Sequence, residues 1–185
     1  MQFSLNEKQQ QIVDLLVNKY KDKNDQSLTT AKNFTNGLSQ SDMNILEKCF
    51  EEYLVNEKIL IAMILVEFSP WVIHTDYCKG DDNPGKAMLI PWQTQKSSTL
   101  VFNEICTTVF ENYPLVENHV THEQYEKYLS HCSWNDTQKV SVKEIFDWER
   151  GRAVTWDRTN LHSSDNFIKN GVDSKIALVI FTERV

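Results

Sequence analysis

The pattern of apolar and polar positions changes its period near residue 58. Before it, Ile12, Leu15, Leu16 and Tyr20 recur at helical spacing, which predicts a helix from Asn6 to Tyr20. A second stripe, Ile45, Leu46, Cys49, Phe50 and Tyr53, predicts another from about Ser41 to Tyr53, with Ser39 or Ser41 available to cap it. Residues 21 to 40, "KDKNDQSLTTAKNFTNGLSQ", are polar and turn-rich and are expected to form a loop.

Beyond residue 58 the chain is dominated by β-branched and aromatic residues. "KILIAMILVEFSPWVIHTDY" (58–77) is followed by strand candidates at 86–92, 98–104, 139–149, 153–157 and 175–183. "KGDDNPG" (79–85), "ERG" (149–151) and "KNG" (169–171) supply turns. One helix-like segment, 121–132, interrupts the strands. Strands in succession without alternating helices argue for antiparallel sheets closed into a sandwich or barrel. The expected architecture is a single mainly β domain over 1–185. Residues 1–57 form a helical N-terminal support, and 58–185 form a β-barrel or jelly-roll core with an insertion at about 111–138.

Composition narrows the function classes. The chain has 185 residues, 41% hydrophobic and 24% charged, which is enough for one real core. Its net charge of −7 disfavours nucleic acid and anionic membrane surfaces as partners. The longest apolar run, 59–66, is too short to span a bilayer, and "MQFSLNEKQQQ" has neither the basic start nor the apolar segment of a signal peptide. Cys49, Cys78, Cys106 and Cys132 form no CxxC pair, so a cysteine zinc site is not expected. They are read as reduced thiols in a cytoplasmic protein.

The candidate chemistry begins in "WVIHTDYCKG" (71–80). If this segment continues the strand, alternation puts Val72, His74 and Asp76 on one face. His74 and Asp76 then offer a nitrogen and an oxygen ligand, or else they are polar residues where a strand runs out. In "GRAVTWDRTNLHSSDNF" (151–167), His162 can complete a two-histidine, one-carboxylate facial triad for a divalent metal. It could instead be a loop histidine bonded to Ser163 or Ser164. In the last strand Lys175, Ala177, Val179 and Phe181 share one face, so Lys175 could pair with the distal carboxylate of a 2-oxo acid inside the barrel. The alternative is a solvent-facing strand start, with Arg152, Arg158 and Arg184 as competing cations. His119, His122 and His131 are read as surface residues. Trp156 is expected in the core, and Trp71 and Trp92 near strand ends.

The order His74-Thr75-Asp76, "GRAVTWD", "LHSSDNF", "KIALVIFT" resembles the 2-oxoglutarate- and iron(II)-dependent oxygenase superfamily over about residues 58–183. Its prolyl-hydroxylase-like or phytanoyl-CoA-dioxygenase-like members are the most similar. The resemblance implies a double-stranded β-helix of cupin-like, jelly-roll form, with iron held by His74, Asp76 and His162. It implies 2-oxoglutarate as cosubstrate and dioxygen as oxidant, with a substrate hydroxylated as 2-oxoglutarate goes to succinate. Lys175 stands where the family's anchoring base sits. The commonest pattern there is Arg with Ser or Thr two residues on; this chain has Lys175 and Ala177, and Thr99 could supply the hydroxyl. A lysine anchors as a point charge rather than a fork. The substrate is expected to be a small molecule or peptide. Two other classes stay open: a non-catalytic cupin-like protein that binds a metal or a small acid, and a metal enzyme of the same barrel needing no 2-oxo acid.

Overall fold

A computed structural model describes residues 1–23, 28–30, 33–77, 82–106 and 112–185. Cys78, the first part of the 79–85 turn and residue 111 of the insertion lie outside the described residues.

The chain opens with a short strand, β1 (Gln2–Ser4), and helix α1 (Glu7–Tyr20). Asn6 caps α1 in a reciprocal box with Gln9, satisfying two of the amides a helix start leaves open. Val13, Leu16, Val17 and Tyr20 form its buried face. Leu15 precedes Leu16 by one residue, about 100° round the helix, and points to solvent at 61% exposure, contrary to the sequence expectation. Helix α2 (Gln40–Cys49) is capped by Ser39 and gives way to a 3₁₀ turn at Glu51–Tyr53, so it ends earlier than the apolar stripe suggests.

The expected loop 21–40 contains two strands, β2 (Leu28–Thr30) and β3 (Asn33–Gly37). Their polar residues hide them from a hydropathy reading. Asn33, Thr35 and Asn36 are nonetheless buried, because β3 pairs with the next strand, β4 (Glu57–Glu67). The remaining strands are β5 (Pro84–Pro91), β6 (Ser98–Ile105), β7 (Val142–Asp147), β8 (Arg152–Asp157), β9 (Asn160–Ser164) and β10 (Lys175–Arg184). Residues 1–57 therefore contribute three strands as well as two helices. The insertion is not one helix over 121–132. It is a short turn α3 (His122–Gln124), a π-type turn (Tyr125–Leu129) and α4 (Trp134–Thr137).

All strand pairs are antiparallel and form two sheets, β1-β8-β5-β10-β4-β3-β2 and β7-β6-β9. Period-2 alternation sorts their side chains into layers. On the outer face of the large sheet, Ala62, Ile64, Met88, Ile90, Leu178 and Ile180 pack under α1 and α2. On its inner face, Met63, Ala87, Leu89, Val154, Trp156, Ala177 and Val179 meet Val101 and Phe146 of the small sheet. Behind the small sheet, Leu100, Phe102 and Leu161 pack against Val120, Leu129 and Val140 around the insertion. Strands buried on both faces explain why β4, β5 and β10 read as near-continuous apolar runs. The result is a mainly β double-stranded β-helix. Among the described residues no helix is long and apolar enough to cross a membrane.

Candidate metal centre

The interior between the sheets holds a cavity of about 350 Å³, within the range of small-molecule sites. His74, Asp76, His162, Thr99 and Lys175 all line it.

His74 and Asp76 do not sit on a continuing strand. β4 ends at Glu67, and Ser69-Pro70 breaks the run, since proline removes an amide donor. Val72 is 55% exposed and does not share the inward face with His74. The segment is instead pinned along β9. His74 and His162 exchange both backbone hydrogen bonds at 2.9 Å, forming an isolated bridge. The Trp71 amide donates to Ser164 Oγ at 2.7 Å, and Ser163 Oγ donates to the Trp71 carbonyl at 2.9 Å. Beyond the histidine, Thr75 Oγ1 donates to the Arg158 carbonyl at 2.9 Å, and Arg158 Nη2 donates to the Asp76 carbonyl at 3.0 Å. His162 is on a strand with its side chain turned inward, not in a loop.

These constraints bring ligand atoms of His74, Asp76 and His162 within 4.8 Å of one another. His74 Nδ1 lies 2.7 Å from the Val72 carbonyl, and His162 Nδ1 lies 3.3 Å from that of Asn160. A carbonyl only accepts, so each Nδ1 carries the proton and each Nε2 keeps its lone pair. Burial pulls both imidazoles down to about 4, with His162 adding to the effect on His74, so both are neutral at pH 7. Burial pushes the Asp76 carboxyl up to about 6, against the pull of His74 and Arg158. Its Oδ2 lies 3.3 Å from His162 Nε2. Two neutral nitrogen donors and one carboxylate suit a divalent first-row metal with open positions. The indoles of Trp71 and Trp156, both lining the cavity, lie beside the Glu67 and Asp76 carboxylates and favour their ionised forms.

At the other end of the cavity is Lys175, fully buried. Its Nζ lies 4.1 Å from the Trp148 ring centre and 4.6 Å from that of Phe167. It is also 3.0 Å from Glu67 Oε2, an ion pair whose alignment falls outside a hydrogen bond. Glu67 has no place in the sequence expectation. The signal was available: Met63, Leu65 and Glu67 alternate on the inner face of β4, and an acid there demands a cation. Thr99 Oγ1 accepts from the Trp148 indole N–H at 3.0 Å. Arg158 and Arg184 do not compete for the site. Arg158 donates to the Thr182 and Asp76 carbonyls and Arg184 pairs with Asp157, while Arg152 is exposed. His131, expected at the surface, is half-buried with Nε2 3.0 Å from the Trp71 carbonyl.

No family model and no curated protein matches the sequence. Solved structures do. The non-heme alpha ketoglutarate dependent carbocyclase SnoK from nogalamycin biosynthesis matches at TM-score 0.66 and 10% identity, over 100% of this chain and 79% of its own. A Trichoplax adhaerens prolyl hydroxylase, in complex with a hypoxia inducible factor peptide fragment, matches at 0.58 and 11%, over 100% and 83%. The epimerase SnoN, in complex with Fe3+, alpha ketoglutarate and nogalamycin RO, matches at 0.60 and 8%, over 97% and 76%. At these identities the likeness shows the fold alone, the double-stranded β-helix that this chain shares with these enzymes.

Proposed function

We propose that this chain is an iron(II)- and 2-oxoglutarate-dependent oxygenase acting as a hydroxylase. The observation that carries the proposal is the convergence of His74, Asp76 and His162 in the cavity that Lys175 closes at its other end. His74, Asp76 and His162 hold the metal. Lys175, with Thr99 beside it, receives the distal carboxylate of the 2-oxo acid. Iron bound there would supply the dioxygen chemistry that couples decarboxylation of 2-oxoglutarate to oxidation of a substrate C–H bond. The chain's own work is to present two neutral imidazoles and one carboxylate that need no deprotonation to bind a metal at neutral pH. Trp71 and Trp156 keep bulk water from the site. The substrate is a small molecule or a peptide segment at the cavity mouth. Cys49 and Cys132, both with free thiols, fit the reducing cytoplasm.

The test is iron-dependent conversion of 2-oxoglutarate to succinate by the purified protein, followed by NMR, with His162→Ala as the control. Succinate formation that needs iron and is lost in the variant supports the proposal. Stoichiometric metal binding with no succinate, whether or not candidate substrates are added, points to the second reading: a metal- or small-acid-binding protein on the same fold. The specific observation on that side is the Glu67–Lys175 pair, which already balances the charge of the cation.

A further inference from the structure

Glu67 and Lys175 are directly opposite in the β4–β10 register, and both are almost wholly inaccessible to solvent. Lys175 is the sole lysine or arginine lining the cavity among the described residues. The charge around it is already balanced toward the negative. Asp165, just past β9, is buried, with Oδ1 accepting from Ser97 Oγ at 2.7 Å and Oδ2 from Asn170 Nδ2 at 3.0 Å. His131, on the insertion, is held toward its neutral form by burial and adds no second cation. On the other side of Glu67 the β3 partner Asn33 is neutral. Its amide is committed to the Ser69 carbonyl and to the Phe68 and Ser69 amides. A distal carboxylate reaching Lys175 therefore meets a second carboxylate across one ammonium. Two like charges at that separation in a dry site do not both stay ionised.

We propose that Glu67 governs which 2-oxo acids enter the site: a 2-oxo diacid binds together with one proton, shared between Glu67 and the incoming carboxylate, whereas a 2-oxo monoacid enters without one. No covalent bond changes; a solvent proton moves to the carboxylate pair, leaving one negative charge opposite Lys175. The inference rests on the assignment of Lys175 as the end that receives the distal carboxylate. Burial, which raises the proton affinity of Glu67 against the pull of Lys175, works in the same direction.

The experiment is calorimetric titration of the Mn(II)-loaded protein with 2-oxoglutarate and, separately, with 2-oxobutyrate, in phosphate and in Tris at pH 7.5. The buffer dependence of the heat counts protons. Uptake of about one proton with 2-oxoglutarate and near none with 2-oxobutyrate is expected. The 2-oxoglutarate Kd should rise roughly tenfold per pH unit between 6.5 and 8.5. Glu67→Gln should remove both the uptake and the slope. If that variant does not fold, the comparison of the two acids on the unaltered protein decides alone. A pH-independent Kd without proton uptake, or equal uptake with both acids, overturns the inference and leaves the oxygenase proposal standing. Failure of 2-oxoglutarate to bind either protein at any pH, with Mn(II) bound, overturns both.

Discussion

Replacing Lys175 by Met isolates the energetics of the buried pair. Methionine keeps apolar contact with Trp148 and Phe167 but leaves the Glu67 carboxylate, 4% exposed, without its cation. A buried, unpaired carboxylate does not stay charged; it takes up a proton. The cost at pH 7.5 is then bounded by the work of protonating a group whose ordinary value is 4.5. Three pH units at ~1.4 kcal/mol each give about 4 kcal/mol, and removing one partner of a buried pair costs roughly 3–5 kcal/mol in general. For a domain of this size that is a fall in Tm of roughly 8–16 °C. In the variant the folded state binds the proton more tightly than the unfolded state, so stability falls as pH rises above 4.5. The same bound at pH 5.5 is about 1.4 kcal/mol, a loss of roughly 3–6 °C. Thermal unfolding by circular dichroism at both pH values measures this. Adding Glu67→Leu to the variant should restore most of the loss and remove its pH dependence, since an apolar replacement of both partners is close to neutral. A Tm loss under about 2 °C at pH 7.5, or one equal at both pH values, would refute the reasoning.

Metal affinity should be flat from pH 8 down to about 6 and then fall by roughly tenfold per pH unit, because Asp76 takes up a proton near 6 while both imidazoles stay neutral until about 4. Competition with a fluorescent chelator across that range reads it. His162→Ala should weaken Mn(II) binding by more than the ~10–100-fold typical of lost supporting contacts, with the fold retained by circular dichroism. Asp42, held down to about 2 although burial opposes it, accepts from Lys19 Nζ at 2.8 Å, Tyr20 Oη at 2.5 Å and Ser39 Oγ at 2.7 Å, tying α1 to α2. Asp42→Asn should cost about 1–2 kcal/mol, less than the full shift because Lys19 is half exposed. Asp42's contribution is complete above 3.8 and lost as pH falls through 2, so the variant and the parent should converge in chemical denaturation at low pH.

Several elements were legible along the chain because they depend on local pattern. The apolar runs of β4, β5 and β10 and the inward parity of Lys175, Ala177, Val179 and Phe181 follow from the two-residue repeat of a strand, which any sheet imposes. The candidate ligands His74, Asp76 and His162 were legible as an ordered set of donor types, since coordination chemistry limits which side chains serve. The polar strand β3 was not, because its burial comes from pairing with its neighbour β4 rather than from its own hydropathy. Nor was the geometry at His74. A periodicity argument extends β4 through residue 77, but proline ends the run and cross-chain hydrogen bonds from β9 take over.

The sequence by itself determined the layers of the apolar strands β4, β5 and β10 and the kinds of atoms available to a metal. Only the tertiary structure decided that Glu67 stands opposite Lys175. That pairing joins residues 67 and 175 through the β4–β10 register, and register is set by how two whole strands bury their faces together, not by any window of sequence containing either residue.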